Sequence, residues 1–103
     1  MATRQERHEW WASAAAQHRG FQTQWCNPGW IDRLLGTYQS SMNICGFHKA
    51  VADKYELLAQ RALDPKSNLQ ELDQAEDKLS WRVMLVMRLA LYDPVACDDI
   101  KVE

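Results

Sequence analysis

From residue 31 to residue 90 the apolar side chains fall mostly three and four positions apart, and no segment shows sustained alternation. One series runs through Ile31, Leu34, Leu35, Tyr38, Met42, Cys45, Val51, Tyr55, Leu58 and Ala62. A second runs through Leu69, Leu72, Ala75, Leu79, Val83, Val86 and Ala90. A period near 3.6 places such residues on one side of a helix, whereas a half-buried strand needs a period of two. The expected fold is therefore all-α, a small bundle of helices in a single domain covering residues 1–103.

Helix ends are marked by the scarce breakers: the chain has four glycines and three prolines. Thr3-Arg4-Gln5-Glu6 fits a capping box, so a first helix is expected from about residue 4 to residue 18, ending near Gly20. Asn27-Pro28 reads as an N-cap followed by a first-turn proline. From there residues 28–63 form one helix, or two if the chain breaks near Asn43–Gly46, and Asp64-Pro65 ends the pattern. Ser67-Asn68-Leu69-Gln70 is a second capping-box candidate, opening a third long helix. Residues 81–92 are apolar nearly all round, which marks them as the expected centre of the core and makes Trp81 a residue the fold should need. Asp93-Pro94 is expected to stop this helix before a short final turn and an acidic C-terminal tail.

Composition narrows the function classes. With 47% hydrophobic and 25% charged residues the chain has the make-up of a folded domain. A net charge of −2 supplies no field for nucleic acid. Arg4, Arg7 and Arg19 beside Trp10 and Trp11 make only a faint basic footprint. The longest apolar run, 83–92, is broken by Arg88 and too short to span a bilayer, so no membrane partner is expected. Three cysteines are too few, and odd in number, for a secreted disulfide framework. No segment with a charged start, an apolar run and a small-residue cleavage site is evident. A cytoplasmic, reducing setting with free thiols is expected.

Catalytic constellations are lacking. His8-Glu9 begins like a zinc-protease helix, but that motif needs a histidine where Ala12 stands. No Walker loop, dinucleotide fingerprint or nucleophile elbow is present, so no enzyme and no cofactor are expected. A metal site is the minor alternative. Cys45 and His48 are three apart on one helix side, and His18 and Cys26 could complete a four-ligand site.

Four of the five tryptophans lie between His8 and Trp30. Adjacent helical residues point about 100° apart, so Trp10 and Trp11 cannot share one narrow stripe. Core packing accounts for most of these rings. Any that stay outside, with arginine alongside, have the composition of a binding hot spot. Arg7, Trp10, Trp11, Arg19, Trp25 and Trp30 are the expected contact residues for a larger protein or complex. The acidic group Glu71, Asp73, Glu76 and Asp77 is the second candidate surface, suited to a basic partner. The general character, compact, helical, aromatic and without catalytic motifs, resembles the small inhibitor and adaptor proteins that phages encode. A homo-oligomer buried along 81–92 is the structural alternative.

Overall fold

The computed structural model describes residues 2–92 together with Ile100. Four helices and no strand are present among them: α1 (Arg4–Trp25), α2 (Trp30–Leu35), α3 (Tyr38–Leu63) and α4 (Leu69–Leu89). Three are long, as the periodicity requires. The expected final turn and acidic tail lie outside the described residues.

α1 begins at the expected capping box. Thr3 Oγ1 accepts from the Glu6 amide at 3.1 Å, and the Thr3 amide donates to the Glu6 carboxylate at 3.2 Å. The helix then passes through Gly20 and ends at Trp25, seven residues beyond its expected last residue. A glycine inside a helix costs only about 1 kcal/mol. Here the packing of Phe21 on His18 and His48 and the ion pairs of Arg19 lie on both sides of it and hold the turn.

The middle segment breaks, but not near Asn43–Gly46. Asn27 is not the cap: its amide donates back to the Thr23 carbonyl of α1 at 3.4 Å. Gly29 precedes α2 instead, and its amide donates to Asp32 at 3.1 Å. Gly36, at φ +74°, turns the chain after six residues, a left-handed conformation that disfavours any side chain. α3 then runs unbroken for 26 residues to the extended Asp64 before Pro65.

α1 and α3 pack antiparallel along most of their length. Cys26 meets Cys45, His18 meets His48, His8 Nδ1 donates to the Ala59 carbonyl at 2.8 Å, and Arg4 reaches the end of α3. The Arg4 guanidinium donates to the carbonyls of Asp64 (2.7 Å) and Ser67 (2.8 Å) and to Ser67 Oγ (2.7 Å). It thereby satisfies chain-end carbonyls that α3 leaves open. Ser67, read from sequence as the cap of α4, instead donates to the Arg61 and Asp64 carbonyls, and Asn68 caps the Gln70 and Glu71 amides.

The core centres on α3, not on residues 81–92. Phe47, Val51, Ala52 and Ala62 are fully enclosed, joined by Trp11 and Ala15 of α1 and Leu72, Leu79, Val83 and Val86 of α4. Trp81 is 62% exposed, and Met87, Leu89 and Leu91 are exposed too. The shape gives the reason. The molecule is a rod of 51 × 20 × 20 Å. Among the described residues α4 packs along one side, so it buries the stripe of Leu72, Leu79, Val83 and Val86 whatever the composition of the rest. α4 ends at Ala90, which takes a left-handed φ of 53°, before the expected stop at Asp93-Pro94.

Candidate functional site

The six expected contact residues do not form one surface. Arg7 is buried, donating to both oxygens of Asp73 at 2.8 and 2.7 Å and to the Ala2 carbonyl. Trp11 is 6% exposed and belongs to the core, whereas its neighbour Trp10 is 57% exposed. Arg19 is committed to Glu56 through two hydrogen bonds (3.0 and 2.9 Å) and to Asp53. Trp25 is half-buried at the end of α1, and Trp30 is 73% exposed on α2. At 1.5 Å per residue, Trp10 and Trp25 stand about 22 Å apart along α1. Of the proposed patch, Trp10 is left at one end of the rod and Trp30 at the other.

The acidic group is also partly absorbed by the fold. Asp73 carries the Arg7 bond, and that bond holds its carboxyl below the ordinary range. Glu76 is half-buried. Burial first, then the charges of Asp77 and Asp73, raise its pKa, while a hydrogen bond from Tyr55 opposes them. On the Tyr55 side, burial and the Glu76 charge push the phenol up to about 12. Glu71 and Asp77 remain as exposed carboxylates.

The four alternative metal ligands separate into two pairs. Cys26 and Cys45 are joined in a disulfide, with Cα atoms 4.9 Å apart. That replaces the free thiols expected from the cysteine number. His18 and His48 are buried with their Nδ1 atoms 2.8 Å apart, one donating and the other accepting. Phe21, Phe47, Tyr55 and Tyr92 surround this pair. Burial lowers the pKa of both, and His18 adds to the effect on His48, which falls to about 4. Among the described residues no three His, Cys, Asp or Glu side chains converge as metal ligands would.

The surface that does stand out is α2. Trp30, Ile31, Leu34 and Leu35 share one side of this six-residue helix, because positions i, i+1, i+4 and i+5 fall within one wide arc. Every one of the four is more than half exposed, Leu34 reaching 74%, and no residue of α2 is buried. The polar side chains bond within their own segment. Asp32 Oδ1 accepts from Thr37 Oγ1 at 2.8 Å, and the Arg33 guanidinium lies 4.8 Å from the centre of the Tyr38 ring. The Tyr38 ring beneath that guanidinium is itself exposed.

In the sequence Ile31, Leu34 and Leu35 read as members of one apolar helical series with the residues of α3. The signal against that was the pair of glycines, Gly29 and Gly36, that brackets the hexapeptide and detaches it from the longer pattern.

In comparisons with known proteins, no family model, no curated protein and no solved structure matches the chain. No helix among the described residues is long and apolar enough to cross a membrane.

Proposed function

We propose that this chain is a non-enzymatic protein-binding module, an inhibitor or adaptor that docks on a larger protein by seating α2 in an apolar groove. One observation carries the reading: a six-residue helix presents four large apolar side chains to solvent and buries none. Apolar surface left in water forgoes about 25 cal/mol for each Å² that burial would remove. A contiguous apolar patch on a small domain marks an interaction site. A short helix with anchors one turn apart is the form that fits a groove. Trp30, Ile31, Leu34 and Leu35 are the anchors, with Tyr38 and Arg33 at the margin. Trp10 stands apart and is not part of this contact.

The setting remains cytoplasmic in this reading. There a disulfide such as Cys26–Cys45 is a reversible element, whereas outside the cell it is a permanent staple.

Capture from the lysate of the cell in which the protein works tests the reading. The wild-type chain is compared with Leu34→Asp and Trp10→Ala, and circular dichroism checks that both variants keep their helix content. One protein held at near-equal amount by the wild type and Trp10→Ala, and released by Leu34→Asp, is the expected result. Retention indifferent to Leu34→Asp overturns it. A doubled mass in solution that Leu34→Asp returns to the monomer makes a second copy the occupant instead.

A further inference from the structure

We infer that the Cys26–Cys45 disulfide is a reversible clasp that fixes the presentation of α2, so that the docking surface is ordered when the pair is oxidised and released when it is reduced. This rests on the reading of α2 as the docking element.

The clasp is placed for that task. Cys26 caps the C-terminus of α1 and Cys45 is the eighth residue of α3, and the loop they close contains all of α2. The bonds that shape α2 are local to its own segment. The Gly29 amide and the Thr37 hydroxyl donate to the Asp32 side chain, and the Thr37 amide donates to the Asp32 carbonyl at 2.8 Å. The first turn of α3 is exposed, and between Tyr38 and Ile44 Ser41 alone is buried. The core begins on the far side of the clasp, with Phe47, Val51 and the α4 residues. Opening the disulfide thus removes the covalent tie on 27–44 and leaves the core packing in place.

Access favours exchange at one sulfur. Cys26 is half-buried, whereas Cys45 is buried. The thiolate of a dithiol reductant attacks Cys26 Sγ, the S–S bond breaks, and Cys45 leaves as a thiolate that takes up a proton. The second thiol of the reductant then displaces Cys26. The reductant ends as a disulfide, having given two electrons and two protons to the cysteine pair.

Hydrogen–deuterium exchange on the full chain tests the clasp, with dithiothreitol as the dithiol and with the third cysteine of the chain, Cys97, replaced (Cys97→Ser). The oxidised protein, the reduced protein and the Cys45→Ser variant are compared. On reduction, amides in 30–45 should exchange about tenfold to a hundredfold faster, those in 50–62 should not change, and reoxidation should restore protection. Cys45→Ser should match the reduced protein. Unchanged exchange in 30–45 overturns the inference, and so does loss of protection throughout the chain. No partner is needed for this readout. If α2 is not the docking element, exchange still responds to dithiothreitol while capture of the partner does not.

Discussion

His18 of α1 and His48 of α3 face each other with their Nδ1 atoms 2.8 Å apart, inside a ring of aromatic side chains. One proton serves both nitrogens. A second proton would place a cation in a buried aromatic site beside a donor, which is the cause of the lowered pKa values.

Stability should therefore fall with acid in a defined window. A histidine whose pKa is lower in the folded state contributes its full stability above the unfolded value near 6.5. That contribution is lost as pH drops toward about 4, the folded value of His48. At 1.36 kcal/mol per unit, His48 alone accounts for about 3 kcal/mol at most. Urea unfolding at pH 7, 5.5 and 4.5 should show a falling midpoint. His18→Leu/His48→Leu should flatten the curve over that range. An equal slope in the double variant would remove the pair as its cause.

Trp11 and Trp81 should behave in opposite ways. Trp11→Ala opens a cavity against α3 and should cost about 3–5 kcal/mol. Trp81 is mostly in water, and Trp81→Ala should cost less than about 1 kcal/mol. Thermal melts of the two variants would decide, and a larger loss at Trp81 would contradict the packing described here.

The Arg7–Asp73 pair should respond asymmetrically. Arg7 is buried and Asp73 is partly open to solvent. Asp73→Ala strands a guanidinium away from water, whereas Arg7→Ala leaves a carboxylate that water can reach. Asp73→Ala should lower Tm more than Arg7→Ala. The reverse order would show that the arginine stem matters more than its charge.

Ala90→Gly should stabilise the protein. The left-handed φ of 53° at the C-cap of α4 costs a residue with a Cβ about 1–2 kcal/mol, and glycine takes it freely. After the entropy glycine gains in the unfolded chain is set against this, a net gain of about 0.5–1 kcal/mol is expected. A lower Tm in this variant would mean that the Ala90 methyl packs usefully.

The helical class, the Thr3 box, the stop at Asp64-Pro65 and the stripe Leu72–Leu79–Val83–Val86 were legible because each is a local signal with a local cause. The end of α1 was not. Gly20 carries a small intrinsic penalty, and what overrides it lies more than 25 residues away in His48, Asp53 and Glu56. The roles of Arg7 and Trp11 depend in the same way on which partner each helix side meets. Apolar residues in α2 and in 81–92 look alike in sequence to those of a core. Only the thinness of the rod and the break at Gly36 decide that many of them face water. The candidate site was thus half legible: Trp30 was singled out, but Leu34 and Leu35 were hidden in a period that belongs to the neighbouring helix.

The Arg4 fan of hydrogen bonds to the α3–α4 turn has an entropic side. Cys26 and Cys45 are 19 residues apart, His18 and His48 are 30, and Arg4 and Ala62 are 58. Contacts between α1 and α3 thus span ever longer loops with distance from the connecting segment, and each costs more entropy than the last to close from the open chain. From the open chain the pairing beside α2 has the smallest closure cost and the Arg4 contact the largest. A hairpin shifted by one turn would bring the wrong carbonyls to that guanidinium. Arg4 thus closes the longest of these loops, and its full set of bonds fits this register of α1 on α3 and not one displaced by a turn.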